Sequence, residues 1–136
     1  MVKLIHLKNI GDNKGAVINL DFSGKPPIEL PVFYRSKGAN PEGHFHKGTD
    51  PSYDPQYIYV IKGSLEITCI DPNGDQKVLV LEERDMVVIP KMVYHKYLAL
   101  EDTIFLEPRF EKYDINNVDK CTCSPQEYKE LISKLL

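Results

Sequence analysis

The chain has 136 residues, 42% apolar and 27% charged, with a net charge of −3 and eight Tyr but no Trp. That size and balance suit one domain around one hydrophobic core and exclude a disordered chain. Lys and Arg are scattered and no apolar run reaches membrane length, so neither nucleic acid nor a bilayer is an expected partner.

The opening Met1-Val2-Lys3-Leu4-Ile5-His6 turns polar too quickly for a secretory leader, and a cytoplasmic location is expected. Short runs rich in Val, Ile, Tyr and Leu then recur at 16–20, 32–35, 57–62, 64–70, 77–81, 86–89, 94–98 and 103–108. Cut by Gly, Pro, Asn and Asp, they read as short antiparallel strands. They are too closely spaced for helical crossovers between parallel strands. Gly63 breaks one pair, and Asp71-Pro72-Asn73-Gly74-Asp75 breaks the next with both Pro and Asn-Gly turn chemistry. Repeats, low-complexity tracts and linkers are absent from the sequence.

One helix is expected over about 124–136. Ser124 supplies an N-cap, Pro125 a first helical residue and Glu127 the far side of a capping box. Tyr128, Leu131, Ile132 and Leu135 then recur at helical spacing, a stripe suited to the outside of a barrel or to a partner chain. Many strands followed by a terminal helix predict an all-β sandwich or barrel. Of the three Cys, Cys69 alternates with Leu65 and Ile67 as a core residue. Cys121 and Cys123 read as reduced thiols in a surface segment, since a lone Cys-x-Cys lacks the second pair a zinc site needs.

His44-Phe45-His46 carries the first chemical signal. In a strand, residues two apart share a face, so both imidazoles point one way and can ligate a transition metal together. A third His, His95, lies in a later run, and Gln56 opens the run between them. If Gln56 faces inward, so do Ile58 and Val60, while Tyr57, Tyr59 and Ile61 face out. A strand apolar on both faces should be covered on both, here by a second sheet or a partner. Tyr97 shares the His95 face and is a candidate acid/base group or an ordinary packing residue. Tyr34, Arg35, Glu107 and Arg109 are further candidates for substrate contact.

These positions resemble the two signature motifs of the cupins: Gly38, five residues, His44-x-His46, Gln56, six residues and Gly63; then Pro90 and His95. The resemblance covers about 38–99 and implies a cupin double-stranded β-helix, a jelly-roll barrel with a C-terminal helix. One cupin domain over 1–136 is expected, its barrel core at about 16–110. It also implies a divalent transition metal (Fe, Mn, Ni or Zn) on His44, His46, Gln56 and His95, and a homodimer by analogy with small cupins. Gln56 stands where cupins usually carry Glu, the loop at 47–55 is long, and Arg84 and Met92 occupy positions often filled by Gly. Asp50 or Asp54 could fold back from that loop as a negative ligand.

Within the cupins the chain resembles the sugar-nucleotide 3,4-ketoisomerases. The shared features are Asp12-Asn13-Lys14-Gly15, Ile28-Glu29-Leu30, Gly43-His44-Phe45-His46-Lys47, Gln56, Gly63-Ser64, Val88-Ile89-Pro90-Lys91-Met92 and Phe110-Glu111-Lys112-Tyr113-Asp114. That likeness implies a metal-free proton shuttle by His44 and His46, beside the Tyr97 that the shared face with His95 already makes a catalytic candidate. The Arg usual before that group's His pair is missing here. Charge for a pyrophosphate would have to come from Arg35, Lys37, Lys47 or Arg109. A shorter resemblance, to the metal-dependent cupin phosphoglucose isomerases, implies Lewis-acid chemistry instead. The leading expectation is a sugar or sugar-nucleotide isomerase with a His-rich metal site. An iron-dependent dioxygenase and a non-enzymatic small-ligand-binding cupin are the alternatives.

Overall fold

A computed structural model describes residues 1–135 and places ten strands and one α-helix in chain order. Position 136, the end of the expected helix, lies outside the described residues. The strands are β1 (Lys3–His6), β2 (Val32–Arg35), β3 (His44–His46), β4 (Gln56–Lys62) and β5 (Leu65–Ile70), followed by β6 (Gln76–Leu81), β7 (Asp85–Ile89), β8 (Tyr94–Ala99), β9 (Thr103–Leu106) and β10 (Lys120–Thr122). A single 3₁₀ turn, Pro51–Tyr53, interrupts the long loop, and α1 spans Pro125–Leu135.

Two five-stranded antiparallel sheets face one another, in the orders β1-β7-β4-β9-β2 and β10-β3-β8-β5-β6. Their inner faces interdigitate as one core that includes Ile58, Val60, Leu65, Ile67, Cys69, Leu81, Val87, Ile89 and Phe105. Cys69 is therefore interior, as its alternation with Leu65 and Ile67 predicts. Gly63 turns β4 into β5 at a φ of 95°, and a Cβ there would lie 2.5 Å from the Asp102 carbonyl oxygen. Only glycine fits that turn.

The outer face of β4 is covered differently from expectation. Tyr57 and Tyr59 pack with Phe22, Met86 and Leu106, against Leu7, Ile18 and Leu20. The cover is this chain's own N-terminal segment, not a second sheet or partner, while Ile61 stays 37% exposed. The run at 16–20 is accordingly not a ladder strand. Ile18 makes one isolated bridge to Asn9, and its apolar alternation serves packing onto the sheet. The mostly exposed β1 and the three-residue β10 have no alternating pattern long enough to read, and both were missed.

The capping box of α1 closes at both ends. The Glu127 amide donates to Ser124 Oγ at 3.1 Å, and the Ser124 amide donates to Glu127 Oε1 at 3.0 Å, a motif worth about 1 kcal/mol. Tyr128 and Ile132 then bury against Phe45, Ile70 and Tyr94 on the outside of the second sheet. Leu135 remains 57% exposed. Cys121 and Cys123 pack against this helix cluster half-buried, so they are not surface thiols, and all three Cys are free. Among the described residues no helix is long and apolar enough to cross a membrane.

Candidate functional site

The antiparallel register sets His44 directly opposite His95 across β3 and β8. His46, two residues along β3, shares their face. The ring centroids lie 4.5 Å apart for His44–His95 and 4.9 Å for His44–His46. One ring nitrogen from each of the three lies within 4.8 Å of the others. Glycine at position 43 is required by this approach, because the Tyr94 ring occupies the space a Cβ would need.

Each buried ring has a defined tautomer. His46 Nδ1–H donates to Asp119 Oδ2 at 2.9 Å, and His95 Nδ1–H donates to the Val93 carbonyl at 3.1 Å. Both therefore present Nε2 as a lone pair, and His95 Nε2 has no partner at all. Burial, aided by the Lys120 charge and opposed by the Glu42 backbone, lowers His44 to about 4. Burial, then His44 and Lys120, lowers His46 to about 3. The Asp50 charge pulls the other way but leaves the ring neutral at pH 7. His95 falls well below its ordinary value through burial and its two His neighbours. At neutral pH the cluster is three uncharged bases.

A pocket of about 470 Å³ opens onto His44 and His46. The opposite sheet supplies Phe33, Arg35, Gln56, Phe105 and Glu107, and the His-bearing sheet adds Tyr97, Lys120 and Thr122. Arg35 Nε donates to the Tyr97 hydroxyl at 2.7 Å, which leaves the phenolic O–H free to donate into the pocket. Gln56 faces this pocket from across the barrel. Its Nε2 donates to Glu107 Oε1 at 2.8 Å, and its Oε1 is buried without a partner. Burial raises the Glu107 carboxyl to about 7 against the opposing pull of Gln56 and Arg35.

The long loop does not supply a metal ligand. Asp50 is held by Arg109, whose Nη2 donates to its Oδ2 at 2.6 Å, while Asp54 pairs with Lys91 at the surface. Instead the loop brings Tyr53 flat onto His46, with ring centroids 3.7 Å apart and planes within 2°. Of the candidate substrate contacts, Arg35 and Glu107 line the pocket. Tyr34 is 71% exposed and outside it. Arg109 is already neutralised by Asp50 and Glu29, and neither Lys37 nor Lys47 lines the pocket. Asp119, Lys120 and Tyr53 were missed. None of them sits in a periodic run that points inward.

No protein-family model matches the chain. A 3,4-ketoisomerase from Helicobacter canadensis superposes with a TM-score of 0.76 at 17% identity, over 97% of each chain. A sugar 3,4-ketoisomerase from Thermoanaerobacterium thermosaccharolyticum in complex with TDP gives 0.76 at 19%, over 99% of this chain and 96% of that one. A dTDP-4-dehydrorhamnose 3,5-epimerase from Sulfolobus tokodaii gives 0.70 at 22%, over 93% and 78%. The chain has the cupin fold.

By sequence, the chain is 31% identical over 97 residues to the 3-hydroxyanthranilate 3,4-dioxygenase of Bacillus thuringiensis, an alignment covering 65% of this chain. The chain spans only about half of that relative's length, 48%. In cupin terms, the first motif supplies His44, His46 and Gln56 from β3 and β4, and the second supplies His95 from β8. Arg84 and Met92, where cupins often carry Gly, keep the glycine conformation, with φ of 74° and 68°.

Proposed function

We propose that this cupin is an isomerase that moves a proton between neighbouring carbons of a keto sugar carried on a nucleotide. The observation that carries the reading is the His46–Asp119 pair: a buried, neutral imidazole whose tautomer is fixed so that its basic nitrogen faces the pocket. The fold likeness to ketoisomerases and epimerases, one of them bound to TDP, supports the substrate class.

The chemistry follows from the placement of the groups. A C–H beside a carbonyl is acidified by it, and His46 Nε2 accepts that proton. The carbonyl oxygen gains charge as the enediol forms, and the Tyr97 O–H donates to it, polarised by the Arg35 bond into its oxygen. The proton exchanges with solvent as it passes from the His46 imidazolium to His44, whose ring centroid lies 4.9 Å away, and the His44 imidazolium delivers it to the former carbonyl carbon while the hydroxyl proton passes to the other oxygen, so both rings end neutral. No net charge or electron is gained. Arg35 and Lys120 stand at the pocket as the cations for a phosphate group.

The donor set also fits a divalent transition metal, because the three imidazoles converge as uncharged lone pairs and His95 Nε2 has no proton donor beside it. His44, His46 and His95 would hold it, with Gln56 Oε1 as a neutral fourth donor, and it would act as a Lewis acid on substrate oxygens. One lone pair cannot bind a metal and accept a proton together, so the two routes are separable. Incubation with TDP-4-keto-6-deoxyglucose in D₂O, with proton NMR, is expected to show a shifted carbonyl and one deuterium at the new carbinol carbon. Retention of turnover after chelation assigns the imidazole route, and loss with recovery on adding metal assigns the metal route. Absence of exchange and product under both conditions would refute the isomerase reading.

The match to 3-hydroxyanthranilate 3,4-dioxygenase favours one second reading, an iron-dependent dioxygenase using the same three His. Oxygen uptake with 3-hydroxyanthranilate after loading with Fe(II) tests it directly.

A further inference from the structure

Two chambers meet at one polar junction. The pocket of about 470 Å³ and a neighbouring chamber of about 270 Å³ share four lining residues: Phe33, Tyr53, Gln56 and Glu107. The two rings are mostly apolar, so Gln56 and Glu107 carry most of the junction's polar chemistry. The bond from Gln56 Nε2 to Glu107 Oε1 fixes the amide, so its oxygen points away from the carboxylate. That oxygen accepts nothing, although Gln56 is only 4% exposed. Glu107 accepts no hydrogen bond other than the one from Gln56 among the described residues.

This deficit is local. Asp50 is satisfied by Arg109 and the Ser52 amide, and Asp119 by His46, Thr49 and the Asp50 amide. An unsatisfied buried acceptor costs about 1–3 kcal/mol. A fold that pairs its other buried carboxylates so fully, yet leaves these acceptors open at a chamber mouth, is shaped for a donor brought by a ligand. Of the charges that act on Glu107, Arg35 and Lys120 are positive, while Arg109 is neutralised by Asp50 and Glu29. The two free cations disfavour an ammonium there and leave a neutral hydroxyl as the fitting donor.

We propose that Gln56 and Glu107 together form the specificity element for one ligand hydroxyl, held at the junction while the reacting carbons lie beside His44 and His46. The inference rests on the sugar-nucleotide reading above and adds which residues choose among sugars. Glu107 acts both directly and by positioning Gln56.

The test is calorimetric binding of TDP-glucose and of analogues each lacking one sugar hydroxyl. The natural protein is expected to lose at least about tenfold in affinity for one of those analogues. Glu107→Leu and Gln56→Leu should each bind the parent more weakly and bind that analogue equally well, so that discrimination disappears. Circular dichroism reports whether they fold, and Glu107→Gln, which keeps the size, should reduce discrimination several-fold if Glu107→Leu does not fold. Natural protein that binds all analogues alike, or variants that discriminate as well as it does, would overturn the junction alone. Failure of the natural protein to bind either TDP or TDP-glucose would overturn the sugar-nucleotide reading and this inference with it.

Discussion

His46 Nδ1 lies 2.9 Å from Asp119 Oδ2, with the two side chains 5% and 4% exposed. The pair ties β3 to the residue just before its neighbour β10, and Asp119 Oδ1 also accepts from the Thr49 hydroxyl and the Asp50 amide. One carboxylate thus fixes both the base and the start of the loop that stacks Tyr53 over it.

Asp119→Asn keeps this shape but can present an N–H where the imidazole needs an acceptor. The His46 proton then moves to Nε2, and the basic lone pair turns away from the pocket. Turnover of the keto sugar is expected to fall on the order of 100-fold, within the range of general-base losses, with KM little changed. Nitrogen NMR of labelled His should show the tautomer switch. An unchanged kcat with an unchanged tautomer would mean that the pair is structural only.

Asp50 and Arg109 form a buried ion pair, at 7% and 8% side-chain exposure, that closes the long loop onto the strand end after β9. Burial alone would raise the Asp50 carboxyl, but hydrogen bonds from Ser52 and Arg109 outweigh it and hold the group below its ordinary value. Asp50→Ala leaves the guanidinium buried without this partner and is expected to cost about 3 kcal/mol in urea unfolding. The same substitution should free Tyr53 from its stack on His46. A loss below about 1 kcal/mol would show that Glu29 alone satisfies the arginine.

Arg84 is exposed yet holds a φ of 74°, between β6 and β7. Its amide bonds to the Val60 carbonyl at 2.8 Å, so the tight turn is set by the backbone and the side chain adds only strain. Arg84→Gly is expected to leave stability unchanged or raise it by about 0.5–1 kcal/mol, whereas Gly normally destabilises. A clear fall in thermal midpoint would mean that the Arg side chain makes a stabilising contact. Met92→Gly has no such outcome, because the Met92 side chain packs against the apolar cluster beneath α1.

These turns explain how far the fold was legible. Seven of the eight apolar runs became strands because burial on the inner face forces period-two alternation, and the capping residues fixed the start of α1. The eighth run, 16–20, carries the same alternation because a segment lying flat on a sheet also buries every second residue. Periodicity reports burial, not hydrogen bonding. In the site, alternation put His44 and His46 on one face, and the resemblance to the cupin motifs added His95 beside them and Gln56 from the opposite sheet. Asp119, Lys120 and Tyr53 were not readable, since they enter from a short edge strand and an irregular loop whose positions are set by tertiary pairing.

The three buried imidazoles give the fold a specific acid sensitivity. His44 titrates at about 4 and His46 at about 3, against an ordinary 6.5, and His95 is depressed as well. As pH falls below 6.5 the unfolded chain takes up these protons while the folded chain does not. Stability is therefore fully present above 6.5 and declines as pH drops towards 4, by up to about 1.4 kcal/mol per pH unit for each ring. Asp50, depressed from 3.8, contributes its loss only at lower pH, so the two windows separate. The Glu107 carboxyl, raised from 4.5 to about 7, takes up its proton in the folded state over the same range and offsets one ring. The urea midpoint of chelator-treated protein should still fall between pH 7 and pH 4.5, and His44→Gln with His46→Gln should flatten that decline. An equally steep decline in the double variant would place the proton uptake on other groups.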